Sequence, residues 1–246
     1  MDKAISEYLA EKSGGIAEEI VSLFEEWEGS EAAELISEVS IDFTSLADDV
    51  VDYLTKAAKI GAGEVVAQIR IDDKGATDLA FTAAEDYARD RAAEMVGMKW
   101  VDGELVENPN AEWAITDSTR EELSALVQDA IDNGIGAKEL AANIEDSTAF
   151  SPERAEMIAR TEIINAYEGG GRATANSAAE MGLDIVKYWL TSGEGESVCD
   201  ICQENEDAGT IELDDEFPSG EQFPPAHPRC ECVVVYQERE AGDESV

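Results

Sequence analysis

A chain of 246 residues, 43% of them hydrophobic, is long enough to bury a sizeable core and too apolar to be disordered. Its 57 acidic and 17 basic residues give a net charge of −40, which argues against a dedicated nucleic-acid binder. No apolar run approaches the roughly 20 residues that cross a bilayer, and the N-terminus lacks a signal-peptide pattern. We therefore expect no membrane contact and a reducing compartment.

The acidic residues are spread along the whole chain and do not form one tail or patch. In concentrated salt, repulsion between such charges is screened within about 3 Å at 1 M ionic strength, and acidic side chains keep the surface hydrated. The composition therefore predicts a halophilic source. The alternative is an acidic protein of a mesophile.

Residues 1–76 are predicted to form a helical N-terminal region. Apolar residues recur with a helical period in a first helix, and again in one long second helix that covers residues 30–54. Gly61 and Gly63 are expected to end the second helix, and residues 65–71 to form a short strand.

Residues 77–183 are predicted to form a helical core. A small hairpin is expected near residues 99–107, because Asp102 followed by Gly103 suits a type I′ turn. Further along, a serine followed by Pro152 indicates a helix start. The glycine run at 169–171 in this last helix has two interpretations: it ends or kinks the helix, or it permits close backbone contact with a neighbour.

Residues 184–236 are predicted to form a small β module, followed by an acidic tail at 237–246. One strand near residues 184–191 leads into the first cysteine pair, and a second at 233–236 follows the last cysteine. Pairing of these strands would close a small sheet around a metal. The predicted fold class is therefore α+β, mainly α-helical, with a small C-terminal zinc-stabilised β module.

All four cysteines and the only histidine lie in one short stretch, at Cys199, Cys202, His227, Cys230 and Cys232. Two residues separate the members of the first cysteine pair, and two separate His227 from Cys230. Each pair can therefore reach one tetrahedral ion from a tight turn, which predicts a structural Zn²⁺. The preferred ligands are Cys199, Cys202, His227 and Cys230, with Cys232 as a substitute, because in an extended segment the last two cysteines point to opposite faces.

Two disulfides, or reduced cysteines buried as small apolar side chains, are the alternatives to a metal. A catalytic zinc would need an open coordination position and a nearby base, and a single histidine argues against that arrangement. We therefore expect no enzymatic activity, and keep a zinc-dependent hydrolase and a zinc-stabilised adaptor or regulatory protein of a halophile as alternatives.

The order of motifs from residue 159 onwards resembles a known family. Ala159-Arg160-Thr161-Glu162 is followed by the glycine run, Trp189, the first cysteine pair, and a Pro-Ala-His-Pro-x-Cys-x-Cys segment that ends at Cys232. Together they resemble the head-morphogenesis proteins of tailed viruses, the minor head proteins similar to protein F of phage Mu. The resemblance covers about residues 78–236. Glu231 stands where the family usually has arginine.

The resemblance implies a minor capsid protein that assembles with the portal and major capsid proteins. It would be placed in the head interior or at the portal vertex of the virion, after assembly in the host cytoplasm. The resemblance also implies, for some members, an influence on DNA packaging or ejection. It leaves open whether the protein contacts DNA, and the net charge does not support such contact. Arg160, Thr161, Glu162 and Trp189 are candidates for structural or partner contacts, and Arg160 and Glu162 could form a polar network on one helix.

Overall fold

The computed structural model describes residues 1–27, 29–71, 74–111, 114–193 and 198–239. These residues form a mainly helical α+β fold with small antiparallel sheets, as predicted. The helices are α1 (Asp2–Glu26), α2 (Ala32–Glu38), α3 (Leu46–Gln68), α4 (Lys74–Met95), α5 (Ile115–Asn133), α6 (Ala137–Glu145), α7 (Pro152–Glu180) and α8 (Asp200–Asp207), with a 3-10 turn at Thr148–Phe150. The strands are β1 (Met98–Val101), β2 (Glu104–Glu107), β3 (Ile185–Leu190), β4 (Thr210–Glu212) and β5 (Val233–Glu238).

The chain divides into two compact units that each gather distant stretches of sequence. Residues 1–50 and 92–159 form the first unit, and residues 51–91 and 160–246 form the second. The division of the sequence at residues 76, 183 and 236 stays a prediction. Within the part of the chain that the structure describes, no helix is both long enough and apolar enough to span a bilayer.

The first unit packs α1 against α6 and α2 against α5. Fully buried aliphatic side chains fill the space between them, among them Ile5, Leu35 and Leu123. The expected hairpin is present: β1 and β2 pair antiparallel around Asp102 and Gly103, both with positive φ.

The second unit contains the expected C-terminal sheet, whose strand order is β4-β3-β5 with both pairs antiparallel. The inner face of the sheet is continuous with a core that includes Trp189, Phe217 and Tyr236. The short strand β4 was not predicted. Of the tail predicted at 237–246, residues 240–246 lie outside the described residues.

Two predictions in the N-terminal region are wrong. The long helix predicted over residues 30–54 is two helices, because at the break Asp42 Oδ1 accepts a hydrogen bond from the Thr44 N–H at 2.9 Å, a local turn that competes with helix. The strand predicted at residues 65–71 is absent: α3 passes through both of its glycines and continues to Gln68.

The glycines of α3 and α7 explain this continuity. A methyl group at Gly61 would overlap with the backbone of Tyr167, and one at Gly170 would overlap with the backbone of Ala58. The two helices therefore approach with their backbones in contact, which only glycine permits. Of the two interpretations of the run at 169–171, close contact is the one observed, and α7 is continuous.

We expect Gly170→Ala to destabilise the protein and Gly15→Ala to stabilise it. Helix propensity alone favours alanine by about 1 kcal/mol at either position. Gly15 has open space around it, whereas the overlap at Gly170 costs about 1–3 kcal/mol or more. Thermal unfolding of the two variants measures the difference. Equal stabilisation by both would contradict the close contact.

Candidate metal centre

The first cysteine pair lies at the beginning of α8. Cys199 precedes the helix, and its Sγ accepts a hydrogen bond from the Cys202 N–H at 3.4 Å. The first helical turn therefore brings the two sulfurs to the same side. The sequence predicted a tight turn here but not the helix that follows it.

The second half of the cluster comes from the turn before β5. The Cys230 N–H donates to the His227 carbonyl at 3.1 Å, and Arg229 adopts a left-handed conformation with φ of 65°. This turn directs His227 and Cys230 towards the first pair. Residues 230–232 are not a strand, so the expectation that Cys230 and Cys232 point to opposite faces does not hold.

All five predicted donors converge. His227 Nε2 lies 3.2 Å from Cys199 Sγ and 3.3 Å from Cys202 Sγ, and Cys202 Sγ lies 3.7 Å from Cys230 Sγ. Two groups of donor atoms, each within 4.8 Å of one another, share Cys202: one with Cys199 and His227, the other with Cys230 and Cys232. All four thiols are free. This cluster could bind a metal ion.

The orientation of the histidine ring suits a metal ligand. His227 Nδ1 lies 2.9 Å from the carbonyl oxygen of Pro228, which can only accept a hydrogen bond. The proton is therefore assigned to Nδ1, which leaves the lone pair of Nε2 directed at the two sulfurs. A backbone carbonyl that fixes the tautomer in this way is typical of metal-binding histidines.

The thiols have different proton affinities without an ion. Burial raises the pKa of Cys202 to about 12. A hydrogen bond from the Cys230 thiol lowers the pKa of Cys232 to about 5, while the same bond, together with burial, raises the pKa of Cys230 well above its usual value. Because a bound metal ion deprotonates its thiols, metal binding would release protons from Cys202 and Cys230.

Two residues of the predicted motif contact the loop that carries the second half of the cluster. Thr161, which is buried, accepts a hydrogen bond from the Arg229 N–H at 3.2 Å. Arg160 Nη2 donates to Glu231 Oε1 at 2.5 Å in an exposed pair. Glu231, where the resemblance leads us to expect arginine, is therefore a partner of Arg160.

Glu162 makes a different contact. Its carboxylate accepts two hydrogen bonds from the guanidinium of Arg91. Arg91 Nε donates to Oε2 at 2.7 Å, and Arg91 Nη2 donates to Oε1 at 2.8 Å. Both side chains are 5% exposed. This bidentate pair joins α7 to α4. The sequence analysis did not identify Arg91, because residues 71 positions apart carry no signal of their pairing.

Trp189, the remaining predicted site residue, is 1% exposed and packs edge-to-face against Phe217 with ring centroids 5.1 Å apart. It lies in the core beside the cluster, where its indole also lowers the pKa of Cys232. Sequence reasoning missed the buried Lys187 on the same strand. A charged residue within an otherwise apolar strand was the signal that could have identified it.

Comparison with known families covers this part of the chain. Residues 121–235 match the family model described as phage Mu protein F like protein. These residues belong to the Mu F-like family. The resemblance predicted over residues 78–236 is thus confirmed for 121–235. Neither a curated protein nor a solved structure matches the chain.

All five donors lie inside the Mu F-like region, as do Arg160, Thr161 and Glu162. Membership of the Mu F-like family suggests a phage head-morphogenesis protein that interacts with other proteins of the virion. It also suggests a structural rather than an enzymatic role.

We expect Glu162→Gln to destabilise the protein far more than Arg160→Ala. Glu162→Gln breaks a buried bidentate ion pair with Arg91, and breaking such a pair costs about 3–5 kcal/mol. The Arg160–Glu231 pair is more than half exposed, so its loss should cost about 0–1 kcal/mol.

Chemical denaturation of both variants at fixed salt measures these differences. Arg160→Ala is the matched control, since it removes a charge from the same helix two residues away. Similar small losses in the two variants would show that the buried pair does not stabilise the fold.

Proposed function

We propose that this protein is a minor capsid protein of a tailed virus, with one structural Zn²⁺ in its C-terminal module. The observation that carries the proposal is the coincidence of the Mu F-like match at 121–235 with the cluster of five soft donors inside it. The portal and major capsid proteins are the proposed partners, and the head interior or the portal vertex is the proposed location.

Zinc fits the donors better than other common ions. Cysteine sulfur and histidine nitrogen are its preferred ligands. Tetrahedral bonds of about 2.3 Å to sulfur and 2.0–2.1 Å to nitrogen place two sulfurs about 3.8 Å apart, and a sulfur and a nitrogen about 3.5 Å apart. The observed 3.7 Å between Cys202 and Cys230 and the 3.2–3.3 Å from His227 to Cys199 and Cys202 are close to these values.

The proposed ligands are Cys199, Cys202, His227 and Cys230, the set that the sequence spacing favours. Cys232, whose sulfur lies in one group with those of Cys202 and Cys230, is the substitute. Four protein ligands fill a tetrahedral zinc and leave no position for a substrate. The cavity beside the cluster, about 140 Å³, is smaller than the roughly 300–1,000 Å³ of small-molecule sites. The proposed coordination and the small cavity both favour a structural ion over a hydrolase.

Zinc would join α8 to the turn before β5. Along the sequence, the loop from residue 213 to residue 223 lies between these two segments. Thr161 and Arg160 would then hold the metal-bearing turn against α7. We propose this positioning role for both residues. A halophilic source stays a prediction from the net charge.

The ligand assignment predicts which serine variants lose the ion. After dialysis against a chelator and back into zinc, Cys199→Ser, Cys202→Ser and Cys230→Ser should each retain much less than one zinc per chain. Cys232→Ser is the matched control and should retain about one. X-ray absorption of the unaltered protein should show three sulfurs and one nitrogen.

If Cys232→Ser lost zinc and Cys199→Ser retained it, the assignment would be wrong, and Cys232 would be a ligand in place of Cys199. A coordination shell with an oxygen from water would instead favour the open site of an enzyme.

Quantitative mass spectrometry of purified virus particles tests the virion assignment. We expect a low, fixed copy number comparable to that of the portal. The major capsid protein in the same digest serves as the reference for copy number. An abundant host protein gives the level of carry-over. Absence from particles but presence in infected cells would make it a transient assembly factor, and presence only in uninfected cells would favour the adaptor alternative.

A further inference from the structure

The second compact unit contains buried polar side chains where α7 packs on the inner face of the sheet. Glu168 is 2% exposed, and Lys187 and Tyr236 are equally inaccessible. Lys187 and Tyr236 are directly opposite each other in the β3–β5 register, so their side chains lie on the same face. Lys187 is satisfied, because its Nζ donates to Gln222 Oε1 at 2.7 Å and to the Gln222 carbonyl at 3.0 Å.

Three other atoms at this place are not satisfied. Glu168 Oε1, Arg172 Nη1 and Tyr236 Oη are buried and have no protein hydrogen-bond partner among the described residues. Folded proteins leave few buried polar atoms without a hydrogen-bond partner. Three such atoms on neighbouring side chains indicate that they share one hydrogen-bond partner.

The other atoms of the same side chains are fixed. Glu168 Oε2 accepts from the Val234 N–H at 3.1 Å, and Arg172 Nη2 donates to Asp214 Oδ1 at 3.1 Å. The carboxylate and the guanidinium therefore cannot turn away to find new partners without breaking these bonds.

Local geometry makes the three side chains neighbours. Glu168 and Arg172 are four residues apart on α7 and so share a face of the helix. Gly171 lies against the ring of Tyr236, since a methyl group there would be 3.7 Å from Cε2. The bond from Glu168 to the Val234 N–H brings the carboxylate to the backbone of β5, two residues before Tyr236.

We propose that α7 and β5 enclose an internal water molecule bound by Glu168 Oε1, Arg172 Nη1 and Tyr236 Oη. Water can accept from the guanidinium N–H and the phenol O–H and donate to the carboxylate oxygen. Three hydrogen bonds are the usual number for a buried water. Because these side chains offer both donors and an acceptor, a neutral molecule that donates and accepts hydrogen bonds fits best.

This water would link α7, which carries Arg160 to Glu162, to the strand that follows Cys232 directly. It does not depend on zinc or on the viral assignment, because none of its three ligands belongs to the metal cluster. The site would therefore be present in the protein whatever the outcome of the tests above.

A crystal structure of the intact chain at about 1.5 Å resolution tests the proposal. We expect one water within the usual 2.7–3.2 Å of all three atoms. A direct hydrogen bond between Glu168 and Tyr236 with no water between them would overturn the proposal, and so would density for an ion or another ligand.

A solution measurement gives an independent test. Oxygen-17 relaxation dispersion counts water molecules that stay inside a protein for longer than nanoseconds. The double variant Glu168→Met with Tyr236→Phe removes two of the three partners and should lose one such water. Ser177→Ala, which removes a hydroxyl bonded to the Ala173 carbonyl elsewhere on α7, should lose none. An unchanged count in the folded double variant would overturn the proposal.

Discussion

Cys202 lies in both groups of soft donors, and the structure of the C-terminal module depends on this convergence. The cluster brings together the beginning of α8 and the turn before β5, which are separated in sequence by 24 residues between Cys202 and His227. Its thiols carry opposite pKa shifts, because Cys230 donates to Cys232 and burial penalises a second thiolate. A metal ion would remove this competition by binding the thiolates together.

The module is attached to α7 by contacts of unequal strength. Thr161 binds the backbone of the turn that carries His227 and Cys230, and the exposed pair of Arg160 and Glu231 adds little by itself. Glu162 faces α4 and forms the buried bidentate pair with Arg91. Three consecutive residues therefore serve two interfaces of one helix, which follows from the 100° rotation between successive side chains.

Buried charge is sparse in a chain with such an acidic surface, and each buried group has a specific environment. Lys187 is buried within an apolar strand, and burial lowers its pKa to about 7. Burial likewise raises the pKa of Glu168 to about 8. Neutral forms of both groups are thus accessible near neutral pH, which reduces the cost of keeping them in the core.

The sequence alone determined the cluster of candidate metal donors, the hairpin and the existence of most helices. Soft ligands are rare, so their concentration between residues 199 and 232 was informative without a fold, and the Asp102-Gly103 turn is a local preference. The start of the glycine-rich helix at Pro152 was likewise encoded by neighbouring residues.

Only the tertiary structure decided how the glycines act and which charged residues pair. Local propensity predicted a helix end at Gly61 and Gly63 and a strand beyond them, but contact between the backbones of α3 and α7 outweighs that propensity. Arg91 and Glu162 meet across a long sequence separation, and so do Glu168 of α7 and the Val234 N–H of β5. No local pattern specifies such pairs, because the energy that selects them comes from burial in the completed fold.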